Sequence, residues 1–263
     1  MTGRRTPYLV LALFLLVACG RPSDGPGSGR SVIQNKGSDT LVNVAQAWAE
    51  NYKDVNPNVA VAVTGGGSGT GISSMINGTV DLANSSPKMK DKELYLAREN
   101  GIEPIEFTVG FDALAVFVHH DNPAEGFTLQ QLAGIFCEIG DIESWDQLGI
   151  EIPGCDSDEI VRVSRQNNSG TYVYFKEAVL GREQDYRLGS RDMHGSKDVV
   201  DRVLNPPCAI GYSGRAYATD EVKMPSVLAD AESDCVSPSV ETAIDGTYPI
   251  ARPLFMYTAG QPE

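Results

Sequence analysis

Ile160-Val161-Arg162-Val163-Ser164-Arg165-Gln166-Asn167-Asn168-Ser169-Gly170-Thr171 begins as an apolar strand, Ile160 to Val163, and breaks into a polar turn. A helix is predicted to follow over Gly170 to Leu180. Such a turn places hydroxyls and free backbone N–H groups at a helix N-terminus. The first N–H groups of a helix have no intrahelical partner, and the helix dipole favours negative charge there, so the place suits an anion. Arg165 adds a planar fork that can hold two oxygens at once.

Working outward, the same arrangement occurs twice upstream. A short strand, Val32 to Asn35, leads into Gly37-Ser38-Asp39-Thr40. A helix is predicted from Thr40, capped by Ser38 or Asp39, with Leu41, Val44, Ala45, Trp48 and Tyr52 on one face. A second strand, Val59 to Val63, reads as buried and leads into Gly65-Gly66-Gly67-Ser68-Gly69-Thr70-Gly71. A short helix through Ile72, Met75 and Ile76 follows and stops at Gly78. Glycine lets the backbone come close to a ligand. This turn is not a P-loop, because no Gly-Lys-Ser/Thr ends it, and it lacks the dinucleotide-binding spacing. Taken singly, each turn reads equally well as an ordinary cap or bend.

The remaining periodicity completes an alternating pattern. Val80 to Ala83 reads as a strand and Lys90 to Asn100 as a charged surface helix. Phe107 to Val118 is a long apolar strand that could run from one lobe into another. Leu129 to Phe136 and Ser196 to Leu204 read as helices, and Ala209 to Tyr212 as a strand. The βαβα order implies an α/β fold with mostly parallel sheets.

The chain has 263 residues, with 21 Lys+Arg against 35 Asp+Glu, for a formal net charge of −14. That length allows one large domain or two modest ones. The acidic balance excludes a general nucleic-acid binder, which needs a basic face to displace counterions. It does not exclude a small anion held in a buried pocket, where local groups outweigh the global field.

The N-terminus reads as a lipoprotein signal over residues 1–18. Arg4 and Arg5 precede an apolar run from Tyr8 to Ala18, too short to span a bilayer as a mature helix. Leu16-Val17-Ala18-Cys19 resembles a bacterial lipobox, which makes Cys19 the lipidated first residue of the mature chain. Residues 19–30, rich in Gly, Ser and Pro, read as a flexible tether. Four further cysteines remain: Cys137, Cys155, Cys208 and Cys235. An even number in an exported chain suggests disulfides, with three pairings open. Cys137–Cys155 and Cys208–Cys235 are favoured because each closes a local loop containing turn residues. Zinc is not expected: Cys-x-x-Cys is absent, and His119, His120 and His194 lie far from the cysteines in sequence.

Four segments occur in a telling order: Gly37-Ser38-Asp39-Thr40-Leu41, the Gly-Ser-Gly turn, Asp81-Leu82-Ala83-Asn84-Ser85-Ser86, and Arg165-Gln166-Asn167-Asn168-Ser169-Gly170-Thr171. Together they resemble the phosphate-binding proteins of bacterial ABC importers, in the periplasmic-binding-protein superfamily. Ala209-Ile210-Gly211-Tyr212 and Tyr248-Pro249-Ile250-Ala251-Arg252-Pro253-Leu254 are similar to the same family. The resemblance runs from Ser31 to the C-terminus.

What the resemblance implies is a type II fold of two α/β lobes joined by crossing strands, with the ligand in the cleft between them. Residues 31–112 would form lobe one, 113–247 lobe two, and 248–263 would return to lobe one. Phosphate would be held by Thr40 and the Leu41 backbone, by Ser68 and the Gly69 backbone, by Ser86, and by Arg165, Ser169, Gly170 and Thr171. No cofactor, metal or catalytic residue is implied, and the chain would be a monomer that hands phosphate to an ABC permease. Lipidation would hold it on the periplasmic or outer face of a bacterial membrane.

Two departures from the family pattern stand out. Ser86 stands where well-known members have an Asp that accepts the phosphate proton and repels sulfate; Asp39 is the candidate replacement acceptor. Pro87 stands where many relatives have Arg. Related chains also usually continue past the Tyr-Pro-Ile-Ala-Arg-Pro segment into a C-terminal helix on lobe one, whereas this sequence ends at Gln261-Pro262-Glu263. The competing functions are a phosphate-sensing or adhesive lipoprotein, a binder of another tetrahedral oxyanion such as sulfate or molybdate, and a hydrolase. No Gly-x-Ser-x-Gly nucleophile elbow supports the last.

Overall fold

A computed structural model describes residues 30–262. The signal segment, Cys19 and the tether as far as residue 29 lie outside the described residues. The first part of the chain alternates β1 (Ser31–Gly37), α1 (Val42–Val55), β2 (Val59–Thr64), α2 (Ser68–Ile76), β3 (Leu82–Ser85) and α3 (Asp91–Glu99). The long strand β4 (Pro104–His119) leads to β5 (Gly126–Thr128), α4 (Leu129–Phe136), β6 (Val161–Arg165) and α5 (Gly170–Phe175). Then come β7 (Arg191–Met193), α6 (Ser196–Val203), β8 (Ala209–Gly214), β9 (Val222–Lys223), β10 (Ser226–Leu228), α7 (Val240–Ile244) and β11 (Ala251–Ala259).

The main sheet runs β2-β1-β3-β11-β4-β8-β6-β7, with β9 also on β4. Its outer pairs are parallel: β1 with β2 and β3, and β6 with β7 and β8. Its centre is antiparallel, β11 pairing with β3 and β4, and β4 with β8. The expectation of mostly parallel sheets therefore holds only for the flanks. The two long strands run against their neighbours because they carry the chain between the two halves. Along β4 the partner changes from β11 through Ala113 to β8 from Leu114.

The apolar run of β4 follows from burial on both faces. Leu114, Val116 and Val118 join one cluster with Phe127, Leu132, Phe136, Trp145 and Phe175. Ala115 and Phe117 face the opposite way, onto Val163 and onto Val199, Val200 and Val203 of α6. In the other half, Ile72 and Met75 of α2 pack with Ala83, Met89, Phe255 and Tyr257.

Helix α4 begins where the sequence places it. The Thr128 hydroxyl accepts from Gln131 N–H at 3.1 Å and the Gln131 side chain accepts from Thr128 N–H at 2.9 Å, a reciprocal cap. The predicted helix from Gly170 to Leu180 keeps its length but changes to a π turn over Lys176–Leu180.

Other expectations need correction. Helix α1 starts at Val42, and no side chain caps it, because Ser38 and Asp39 are engaged elsewhere, as described below. Its apolar face is only partly covered: Leu41 and Ala45 are buried, but Trp48 is 41% exposed and Val44 and Tyr52 are similar. Strand β2 is half-buried rather than buried, because it lies at the sheet edge.

The disulfide joins Cys155 to Cys208, leaving Cys137 free and buried and Cys235 free and exposed. Both local pairings expected from the sequence are thus overturned. Parallel pairing of β6 with β8 sets Val161 against Ala209, so the loops that precede the two strands meet. Cys155 and Cys208 come within 5.2 Å at Cα across 53 residues of sequence.

Candidate functional site

The three polar turns converge at the seam between the two halves. From the first half come the β1–α1 turn with Ser38, Asp39 and Thr40, the N-terminus of α2 with Ser68, and Ser86 beyond β3. From the second come Arg165 at the end of β6 and Ser169, Gly170 and Thr171 at the start of α5. Ser38, Ser68, Ser86, Arg165, Ser169 and Thr171 are all buried. Buried polar groups persist only where their hydrogen bonds are met.

Arg165 is the cation of the seam. It is 1% exposed. Its Nη2 donates to Asp39 Oδ2 at 2.8 Å and to the His194 carbonyl at 2.7 Å. Its Nη1 donates to Ser196 Oγ at 3.0 Å, and Nε reaches the Met193 carbonyl at 3.3 Å. Burial lowers its pKa from the usual arginine value, while the Asp39 carboxylate pulls the other way. Asp39 spends its other oxygen on Gly66 N–H at 2.9 Å. The Tyr217 hydroxyl donates to the Asp39 carbonyl, and burial, with Asp39 beside it, pushes that phenol up to about 12. Asp39 is therefore a cross-seam partner of Arg165 and not a helix cap.

The hydroxyls are arranged as donors. Ser68 Oγ accepts from Ser86 N–H at 3.0 Å, and Ser169 Oγ accepts from Thr171 N–H at 3.2 Å. Each keeps its own proton to give. Thr40 Oγ1 and Thr171 Oγ1 lie 3.3 Å apart across the seam, and Ser38 Oγ and Ser86 Oγ lie 2.5 Å apart. Donors gathered from two helix N-termini and one buried guanidinium can cage a tetrahedral oxyanion without covalent chemistry.

Close backbone approach completes the closed seam. Asn168 Nδ2 donates to the Gly66 carbonyl at 3.1 Å, and Gly69 N–H donates to the Asn168 carbonyl at 3.0 Å. A Cβ on Gly170 would sit 2.3 Å from Ser68 Oγ and 2.4 Å from Pro87 Cδ. Gly67, at φ +91°, would carry a Cβ 2.6 Å from the Asn168 carbonyl. Outside the seam a groove of about 620 Å³ opens between Pro87, Lys88 and Lys90 on one side and Tyr172, Lys176 and Arg182 on the other.

The whole sequence from residue 23 to 263 matches a family model described as a PBP superfamily domain. The phosphate-binding protein PstS of Pseudomonas aeruginosa is 37% identical over 238 residues, 88% of this chain and 73% of that protein. This chain belongs to the PBP superfamily, among its PstS-like phosphate-binding proteins.

Two further likenesses agree. The protein SphX of Synechococcus elongatus is 34% identical, over 91% of this chain and 72% of its own. A Clostridium perfringens structure, described as that of a phosphate ABC transporter substrate-binding protein with bound phosphate, superposes with a TM-score of 0.75. It is 27% identical and covers 87% of this chain and 86% of that one. The two-lobed α/β fold of the superfamily is thus the fold of this chain.

Every residue expected from the sequence to touch the anion lies at or beside the seam. Two of the backbone groups are already engaged: Leu41 N–H donates to the Ser38 carbonyl at 3.1 Å, and Gly69 N–H to Asn168. Sequence reading missed Tyr217, Ser196, and the buried pair of Asp112 and Arg252. Arg252 Nε and Nη2 donate to Asp112 Oδ2 at 3.0 and 2.7 Å. Nη2 also reaches Thr40 Oγ1 at 3.2 Å and Thr171 Oγ1 at 3.1 Å. Burial raises the Asp112 pKa even though Arg252 opposes the shift. A signal for the pair was present: one acid and one arginine, each inside an otherwise apolar strand (Phe111-Asp112-Ala113-Leu114 and Ile250-Ala251-Arg252-Pro253-Leu254).

Among the described residues, His119, His120 and Asp121 also draw together, with His120 Nε2 3.3 Å from Asp121 Oδ1. They lie at the far end of β4, beyond Asp112, and contribute nothing to the seam.

Proposed function

We propose that this protein captures inorganic phosphate in its interlobe cleft and delivers it to an ABC importer, acting outside the cytoplasm from a lipid anchor at Cys19. The observation that carries this reading is the buried Arg165 guanidinium, paired with Asp39 across the seam to which the N-termini of α2 and α5 bring Ser68, Ser169 and Thr171. The names of the PstS relatives and the phosphate bound in the Clostridium perfringens neighbour support phosphate as the ligand. Capture makes and breaks no covalent bond. The lobes close, water leaves, and each polar contact strengthens in the drier cleft. We read residues 31–112 and 248–263 as lobe one and 113–247 as lobe two. Among the described residues no helix is long and apolar enough to cross a membrane.

A second reading, capture of another tetrahedral oxyanion, is favoured by one observation. Ser86 carries no charge to repel sulfate, and the hydroxyls of the site are set to donate. Calorimetry of the mature domain with phosphate, arsenate, sulfate and molybdate separates the two. Phosphate is expected to bind and sulfate to bind at least tenfold more weakly; equal affinities would defeat the phosphate assignment. Phosphate uptake in cells lacking this chain distinguishes transport from sensing. Loss of membrane association in Cys19→Ser tests the anchor.

A further inference from the structure

We infer that Arg252 is a second anion-binding cation of the cleft, carried by the crossing strand β11, and that it sets Thr40 and Thr171 as donors toward the anion. The inference rests on the proposed capture of an oxyanion at the seam and deepens it by naming a ligand group.

Guanidinium geometry carries the point. The group is planar, with five N–H donors and no acceptor. Its side fork, Nε and one N–H of Nη2, is spent on Asp112 Oδ2 at 3.0 and 2.7 Å. The second N–H of Nη2 shares the opposite fork with Nη1. Nη2 meets Thr40 Oγ1 at 3.2 Å and Thr171 Oγ1 at 3.1 Å, so that fork faces the two hydroxyls. Nη1 is buried and has no hydrogen-bond partner. A fully buried charged donor left unpaired is costly unless a ligand supplies the acceptor. A counter-ion for Asp112 needs only the side fork; the open fork at the seam calls for an oxygen.

The same contacts orient the hydroxyls. Arginine cannot accept, so toward Arg252 both threonine oxygens must act as acceptors. Their protons are then free for each other across 3.3 Å or for an incoming oxyanion. On the proposed division Thr40 belongs to lobe one and Thr171 to lobe two, so one Arg on the connecting strand touches a hydroxyl from each. The Tyr174 ring lies under the guanidinium, its centroid 5.4 Å from the Arg252 guanidinium carbon.

The test uses the mature protein with Arg252→Met plus Asp112→Asn, which removes the buried charges together, and Arg252→Lys, which keeps the charge but not the fork. Thermal unfolding without ligand reports the fold, and calorimetry with phosphate, arsenate and sulfate reports binding. The double variant is expected to unfold at a similar temperature yet bind phosphate at least about tenfold more weakly, the loss of one or more charge-assisted hydrogen bonds. Arg252→Lys is expected to fall between it and wild type. A folded double variant with wild-type affinity overturns the inference; if the double variant fails to fold, wild-type affinity in Arg252→Lys does so. A wild-type chain that binds sulfate and not phosphate defeats the phosphate reading alone, and the role of Arg252 is then judged on sulfate. A wild-type chain that binds none of these anions defeats both.

Discussion

Asp39 and Arg165 pair across the seam at 2.8 Å, the carboxylate of the β1–α1 turn accepting from the guanidinium at the end of β6. Side-chain exposures of 11% and 1% place the pair in the drier interior, where such a contact is strong and where its disruption leaves a charge stranded. Neutralising the acid tests whether it also stands in for the Asp that Ser86 replaces. Asp39→Asn is expected to raise sulfate affinity at least tenfold relative to phosphate in calorimetric competition. An unchanged ratio would remove Asp39 from anion selection and leave it a role in lobe closure.

Arg165→Ala deletes the cation and abandons Asp39. Asp39, Ser196 and the Met193 and His194 carbonyls hold the other Arg165 N–H groups, which leaves one Nη1 N–H for the anion. A hydrogen bond to a charged group is worth about 1.5–3 kcal/mol, so its loss implies a fall in phosphate affinity of roughly tenfold or more. Isothermal titration checks this. Affinity within a few-fold of wild type would show that the anion sits elsewhere.

Gly170→Ala tests closure without touching charge. The added Cβ would fall 2.4 Å from the Pro87 ring, which cannot swing aside as a flexible side chain can. The variant is expected to fold normally and to remain open at saturating phosphate, with weakened affinity. Small-angle scattering with and without phosphate gives the measurement; ligand-induced compaction equal to that of wild type contradicts the packing.

The disulfide yields a stability prediction and a labelling prediction. Linking residues 53 apart removes loop entropy from the unfolded chain worth about 4 kcal/mol on the chain-entropy scale. Reduction, or Cys155→Ser with Cys208→Ser, is expected to lower the melting temperature by several degrees. Native-state alkylation followed by peptide mass mapping is expected to modify Cys235 readily and Cys137 only after unfolding. Labelling at Cys155 or Cys208 without reductant would contradict the assigned pairing.

His119 supplies the pH dependence. Burial, with His120 adjacent, lowers its pKa below 6.5, and its Nδ1 accepts from Asp121 N–H, which requires that nitrogen bare. The folded state thus favours the neutral ring, so the contribution is present above the unfolded pKa and is lost as pH falls through the folded one. The melting temperature of His119→Gln relative to wild type is expected to be higher at pH 5 than at pH 7.5. A proton NMR titration should place the His119 midpoint below 6.5; a midpoint above that value reverses the sign.

The α/β class, the order of the elements and the three anion-suited turns were legible in the sequence because each rests on local physics. Apolar periodicity marks strands and helices, and hydroxyls beside glycine mark helix starts. Leu129–Phe136 and the long strand through Phe117 are readable for that reason. Tertiary structure alone decided what depended on distant partners. Cys155 meets Cys208 because β6 and β8 pair in parallel, not because a short loop closes. Asp39 meets Arg165 because the fold brings the β1–α1 turn against the end of β6 across 126 residues of sequence. Arg252 reaches Thr40 and Thr171 because β11 returns antiparallel beside β4, setting Arg252 opposite Asp112. A buried charge is settled by whichever group the fold carries to it, and one-dimensional spacing does not contain that distance.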